Sequence, residues 1–405
     1  MPVDWKPALD AVVQERFDEM VELRRHLHAH PEVSGQERET SLHLYQLLGN
    51  QGLDVRMGPD GRGVVADGQP GHESFNGLIA LRADIDALRI KDAKNVSYRS
   101  QCEGVMHACG HDAHTAVVYG ATMALYDLRV AGLLPDNVSF RAIFQPAEET
   151  CEGAKEMIAV GALEGVESIL AVHMDPTRQT GRVGLRAGVL TANCDEMRID
   201  ISGVGGHAAR PHEASDPIAA AAQLINALYL YIPRVTDSQD AVVVTIGHIS
   251  GGEHANVIPE AVHLSGTIRT LDRLVRRRTM EHVCRLASGV GETTQTRISV
   301  HFGLSSHSVQ NDVELVQLLR TACHEVIGSD AVEEIPRASM GSEDFAFYLD
   351  QVPGAMARLG CASQTRGSAP LHTPDFDVDE DSLRFGAQIL ARALILRAMG
   401  EDNHE

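Results

Sequence analysis

A chain of 405 residues exceeds the size at which one hydrophobic core stops growing, so two domains are expected. Hydrophobic residues at 43% and charged residues at 22% exclude a disordered or fibrous chain. A net charge of −21 repels phosphate backbones and anionic membrane surfaces, which argues against nucleic acid or a membrane as partner.

Met1 to Phe17 lacks a basic n-region and an apolar h-region, so no secretory signal is read there. Ala8 to His28 places Val13, Phe17, Met20, Val21, Leu23 and Leu27 near a 3.6 spacing before Pro31, which predicts one amphipathic helix. Gly77–Leu81 and Val138–Phe144 are short apolar runs with a helical pattern at Thr115–Leu128 between them. Strands alternating with helices predict an α/β domain, a largely parallel sheet covered on both faces. From about Thr191 the pattern changes to strand (Met197, Ile199, Ile201), helix (Asp216–Tyr231), two strands (Ala241–His248, Ala261–Thr270), helix (Leu271–Ser288) and strand (Arg297–Phe302). That βαββαβ order predicts an inserted ferredoxin-like domain of about 110 residues. Ala219–Ile232, the most apolar stretch, holds Gln223 and Asn226 and falls short of the roughly 20 apolar residues of a membrane span. Val313–Val326 (helix), Met356–Gly360 (strand) and Asp381–Met399 (helix) return to the first domain. The expected division is therefore 1–190 and 304–405 for one domain and 191–303 for the insert. Seven cysteines without a framework pattern fit a reducing cytoplasm.

The densest group of donors is Met106-His107-Ala108-Cys109-Gly110-His111-Asp112-Ala113-His114. A lone histidine or cysteine is usually core filling, but this density at a loop-to-helix junction predicts a metal site, with Gly110 letting Cys109 and His111 converge. Pro146-Ala147-Glu148-Glu149-Thr150 follows a predicted strand, and open α/β sheets place their sites at strand carboxyl ends. A Glu-Glu pair is ordinarily a solvated surface. At a strand end, one carboxylate can ligate an ion while the other takes a proton from water. His173 closes the apolar run Ile169–Val172, and His372 lies far along the chain; both are possible ligands of a two-metal site. In the insert, Gly203-Val204-Gly205-Gly206-His207 lacks the ending of a phosphate loop, and His207 suits a donor to developing negative charge. Asn256 and Arg269 offer an amide and a guanidinium for a substrate carboxylate, although a surface ion pair is the competing reading of Arg269.

Together these motifs, with Leu23 to Glu32, Leu81 to Leu88, Gly341 to Phe345 and His372 to Phe376, resemble a metallopeptidase family. It includes hippurate hydrolase, plant indole-acetyl-amino-acid hydrolases, bacterial N-acetyl-diaminopimelate deacetylase and aminobenzoyl-glutamate hydrolase. The resemblance implies a dinuclear-metal exopeptidase-like catalytic domain with an inserted lid, and two divalent ions (Zn, Mn, Co or Ni) held by Cys109, His111, Glu149, His173 and His372. It further implies Glu148 as general base, His207 as stabiliser of the tetrahedral intermediate, Asn256 and Arg269 as carboxylate binders, and a homodimer formed through the lid. The implied substrate is a small carboxylate-bearing amide such as an N-acyl amino acid. A carboxypeptidase or dipeptidase of the same family is the nearest alternative, and a catalytically silent binder of acidic metabolites a distant one. The sequence departs from the family pattern at Arg89, Met174-Asp175 and Thr373, none of which removes an implied ligand.

Overall fold

The computed structural model describes residues 4–68 and 77–400. Gly77, at the start of the first predicted strand, is its first residue after the gap. The described chain forms two compact units, Met1–Gly188 with Gln310–Pro336 and Asp344–Glu405, and Val189–Val309 with Arg337–Glu343.

The first unit contains α1 (Trp5–Glu15), α2 (Phe17–Ala29), α3 (Arg38–Asn50), β1 (Asp54–Met57), β2 (Val64–Asp67), β3 (Leu78–Asp84), α4 (His111–Val130), β4 (Ser139–Gln145), α5 (Gly153–Ala159), β5 (Val166–Gln179) and β6 (Val183–Leu185). In the second unit follow β7 (Asn193–Ser202), α6 (Pro217–Val235), β8 (Val242–Ser250), β9 (Ala261–Thr270), α7 (Arg273–Thr294) and β10 (Arg297–Ser306). The chain then returns with α8 (Val313–Ile327), β11 (Val332–Glu334), β12 (Gly354–Ala362) and α9 (Asp381–Met399).

Eight strands of the first unit form one mixed sheet in the order β1-β2-β4-β3-β5-β12-β6-β11. Its centre, β4-β3-β5-β12, is parallel, and the outer pairs β1/β2, β2/β4 and β12/β6 are antiparallel. β3 and β4 are buried along nearly their whole length, as expected of strands covered on both faces. In the register, Asp84 pairs with Gln145, so the carboxyl ends of β3 and β4 lie level. The last pair of β3 with β5 is Arg82 with Ala171, and His173 therefore stands just past it.

The second unit is a four-stranded antiparallel sheet, β8-β9-β7-β10. Ala220, Leu224, Leu228 and Ile232 of α6 join Ile199, Ile201 and Leu264 of the sheet in its core. Helix α6 runs longer than the sequence stretch suggested, and it is the described helix whose length and composition would suit a membrane span. Its apolar content is divided: one stripe packs on the sheet, while Ile218, Tyr229 and Leu230 remain exposed.

The predicted helix over Ala8–His28 is in fact two. The stripe of apolar residues is continuous, so periodicity alone does not show the break. It falls at Arg16, whose guanidinium reaches Asp127 of α4 through Nε at 2.9 Å and Nη2 at 3.0 Å. The two helices can then turn separate faces inward, Leu9 and Val13 from α1 and Met20, Leu23 and Leu27 from α2. At the crossing of α2 with α4 the Met20 side chain lies close against the α4 backbone. A Cβ on Gly120 would lie 2.4 Å from the Met20 sulfur, so this position admits only glycine without a shift.

Candidate metal centre

The turn between β3 and α4 fixes the first donors. Gly110 precedes the first residue of α4 with φ +88°, and a Cβ there would press against Met174 at 3.1 Å. A left-handed residue is unfavourable for any side chain but glycine's, so the glycine sets the angle at which Cys109 and His111 meet. The sulfur of Cys109, a nitrogen of His111 and a carboxylate oxygen of Glu149 lie within 4.8 Å of one another. His173 Nε2 stands 3.7 Å from Cys109 Sγ, and His372 Nε2 stands 3.4 Å from Glu149 Oε1. His111 Nε2 is 3.9 Å from both Glu148 Oε2 and Glu149 Oε1. One cluster of the first unit thus gathers Cys109, His111, Glu148, Glu149, His173 and His372.

Two backbone positions in left-handed conformation supply parts of this cluster: Ala147, φ +51°, immediately before Glu148, and His372, φ +60°. Each is tied down. The Ala147 N–H donates to Glu37 Oε1 at 2.8 Å, and the His372 N–H donates to the Ala108 carbonyl at 2.8 Å, beside Cys109. Conformations of this kind persist only where surrounding bonds over-determine them. After the two glutamates the chain doubles back so closely that a Cβ on Gly153 would overlap the Pro146 carbonyl at 1.6 Å.

Behind the donors lies a layer that the sequence did not assign. Asp86 Oδ1 accepts from His111 Nδ1 at 3.0 Å, and its Oδ2 accepts the Glu149 N–H at 3.0 Å and the Ser34 hydroxyl at 2.7 Å. A single carboxylate therefore orients an imidazole and the backbone of a glutamate. His114 is also engaged rather than turned to the cluster. Its Nδ1 donates to Asp84 at 2.6 Å, and its Nε2 accepts the Met174 N–H at 2.8 Å. The Met174 carbonyl accepts from His173 Nδ1 at 2.8 Å, which leaves His173 Nε2 toward Cys109. Bonds of this kind fix the tautomer and aim of metal-ligating imidazoles. Asp84 and Asp86 stand at a strand end in Leu81 to Leu88, and their alternation around a buried turn is the signal that could have marked them.

The electrostatics favour a cation. Burial alone would push the His111 imidazole down, but Asp84, Cys109 and Asp86 outweigh it and hold the group well above its ordinary value. Cys109 and Glu149 raise His372 to about 10. His173 goes the other way, well below its ordinary value, through burial together with Arg358 and His114. His107 is fully buried, neither ring nitrogen has a hydrogen-bond partner, and burial lowers it to about 4. His111 Nε2 is likewise buried with no hydrogen-bond partner, and Glu149 Oε1 makes no hydrogen bond, with His372 Nε2 beside it at 3.4 Å. A buried imidazole nitrogen without a hydrogen-bond partner, a carboxylate, a thiol and two more imidazoles gathered at one spot fit a borderline divalent cation.

In the second unit, Gly206–His207 pairs with Val257–Ile258, and the Ala208 N–H donates to the Asn256 carbonyl at 3.1 Å, so His207 and Asn256 lie at one small two-stranded antiparallel sheet, both exposed. His207 Nδ1 accepts the Ala209 N–H at 3.0 Å. Arg269 is half-buried, and its Nη1 donates to the Met340 carbonyl at 2.8 Å within the same unit; among the described residues it makes no ion pair.

A mixed α/β sheet with thiol, imidazole and carboxylate donors at its strand ends defines a metallohydrolase-type centre. Comparison with known proteins agrees. Residues 80–396 match the Peptidase family M20/M25/M40. The chain is similar to a probable hydrolase of Synechocystis sp., 41% identical over 95% of this chain and 97% of the relative. It is 36% identical to the N-acetyl-L-cysteine deacetylase of Bacillus subtilis, over 90% and 85% of the two chains. A solved Bacillus subtilis structure, described as a dinuclear metal binding peptidase from the M20 family, superposes with a TM-score of 0.80 at 32% identity, covering 95% of this chain and 99% of that one. The chain belongs to the M20/M25/M40 peptidase family and is a metal-dependent hydrolase.

Proposed function

We propose that the chain hydrolyses the amide bond of an N-acyl amino acid. The observation that carries this reading is the buried His111 Nε2, without a hydrogen-bond partner and 3.9 Å from both Glu148 and Glu149 within a cluster of soft and hard donors. Its relatedness to a deacetylase of an N-acyl amino acid supports the substrate class.

In this reading Cys109, His111, Glu149, His173 and His372 hold two divalent cations. Zn²⁺ suits the thiol, and Mn²⁺, Co²⁺ or Ni²⁺ suit the imidazoles and carboxylate. When bound, such a pair supplies Lewis-acid polarisation of the scissile carbonyl and lowers the pKa of water. Glu148 takes the proton of the attacking water and delivers it to the leaving amine nitrogen, one carboxylate serving both transfers. Asp86 keeps His111 and Glu149 aimed while this happens. His207 donates to the oxygen that gathers negative charge, and Asn256 and Arg269 receive the substrate carboxylate, which the net charge of −21 would otherwise repel. Residues 191–303 would then work as an inserted lid on the catalytic domain formed by 1–190 and 304–405.

Two further features fit this proposal. The edge strand β8 and the exposed Ile218, Tyr229 and Leu230 of α6 are the kind of surface through which a second copy would dimerise. Among the described residues the cysteines form no disulfide, which suits the cytoplasm. The test is a hydrolysis screen of N-acyl amino acids and dipeptides with metal-stripped protein reloaded with each ion in turn. Turnover of acylated amino acids above dipeptides is expected. Dipeptides turned over faster would make the protein a peptidase, and tight binding with no hydrolysis across the panel would make it a silent binder.

A further inference from the structure

The outer face of α2 carries a second gathering of donors, well separated in role from the centre above. His26 and His30 lie four residues apart at the carboxyl end of α2, a spacing that puts two side chains on one face. Their ring centroids are 4.9 Å apart. From the neighbouring helix, α3, the His43 ring stacks on His26 at 4.2 Å with an interplanar angle of 25°. These rings line a cavity of about 490 Å³, together with Glu39, Gln46 and the exposed thiol of Cys102.

We propose that His26, His30 and His43, with the Cys102 thiol beside them, form a binding site for a borderline divalent cation such as Zn²⁺, distinct from the catalytic centre.

Among the described residues no side-chain hydrogen bond occupies any of the three imidazoles, so their nitrogens are available. Two stacked imidazoles repel when both are protonated. Burial and the neighbouring rings lower both His26 and His43, so each presents a lone pair at neutral pH. Glu32 is already engaged, its carboxylate accepting the Thr40 N–H at 2.7 Å and the Glu39 N–H at 3.3 Å. Glu39 remains to add negative charge near the ion. His26 and His30 are exposed and can swing by a rotamer to close on a cation that His43 anchors. An ion there would tie α2 to α3. On its opposite face α2 presents Arg24 and His28, which bond Asp112 at 2.9 Å and 2.8 Å next to His111, so the clamp would stiffen the helix that backs the centre.

The site does not depend on the hydrolytic reading, and its test separates the two. Chelator-stripped full-length protein is titrated with ZnCl₂ against a chromophoric chelator, and ions per chain are counted by native mass spectrometry. His26→Gln and His43→Gln should each bind one ion fewer than the parent protein, or bind the last one at least tenfold more weakly. Melting of the stripped protein and hydrolysis at saturating Zn²⁺ should stay within twofold of the parent. His30→Gln provides a third, solvent-exposed probe should either variant fold poorly. Equal ion counts with affinities within tenfold in every folded variant would overturn the proposal, as would a fall in hydrolysis without loss of an ion.

Discussion

Replacing Asp86 by alanine should weaken the metal centre without touching a ligand. The carboxylate accepts from His111 Nδ1, the Glu149 N–H and the Ser34 hydroxyl, all at 2.7–3.0 Å. Hydrogen bonds to a charged group contribute about 1.5–3 kcal/mol each, and a buried donor left unpaired costs a similar amount. These terms are not additive, and removing a buried charge gives some stability back, so a net loss on the order of 3 kcal/mol is expected. His111 keeps one acceptor, the Asp86 carbonyl at 3.0 Å, which survives the substitution. Its ring therefore loosens rather than turns away. Loss of an outer hydrogen-bond partner typically lowers metal affinity 10–100-fold, or about 1.4–2.8 kcal/mol. Asp86→Asn keeps the shape and one acceptor oxygen but turns an amide N–H₂ toward a donor, so it should fall between the parent and alanine. The assay is Zn²⁺ affinity by chelator competition, alongside denaturant unfolding of the stripped protein. Zn²⁺ affinity within threefold of the parent in Asp86→Ala, with the protein folded, would show that this carboxylate does not aim the ligands.

Glu148→Gln should keep bound metal and lose at least 100-fold in kcat, the span general acid–base catalysis supplies, and near-parental turnover would remove Glu148 from the role of base. Gly110→Ala places a side chain at φ +88° against Met174, so a loss of about 1–2 kcal/mol from the left-handed backbone, with weaker metal binding, should appear in melting and chelator-competition curves. Burial alone would raise the Asp377 carboxyl, but Arg24, Tyr98 and the Val378 N–H outweigh it and hold the group below the usual range. Its contribution to stability is therefore present above the unfolded value of about 3.9 and lost as pH falls through the lower folded value. Asp377→Asn should accordingly flatten the decline of the urea midpoint between about pH 4 and pH 2, and an unchanged slope would show that the Arg24 pair does not govern acid unfolding.

Much of the fold was legible because its elements obey local rules. Strand Ala261–Thr270 and helix Asp381–Met399 lie where their periodicity puts them, each apolar on the face that packs. The break at Arg16 was not, since the residue there is held by a pair with Asp127, more than a hundred residues away, and no window on the sequence contains both. The candidate metal centre, as a gathering of donors, divides in the same way. Cys109 and His111 could be read from a dense local motif and a glycine that only a turn explains. His372 offers no such signal. It reaches the cluster because its N–H bonds the Ala108 carbonyl, a contact that exists only after the sheet has assembled. Asp86 was the hardest of all, for a carboxylate at a strand end looks the same whether it faces water, an ion or another residue's imidazole. What distinguishes it is that its two oxygens serve donors from three separate segments, the chain between α2 and α3, the start of α4 and the turn after β4. Ligands follow from residue chemistry, whereas the groups that aim them follow from topology, and so the outer layer is the part of such a centre that structure adds to sequence.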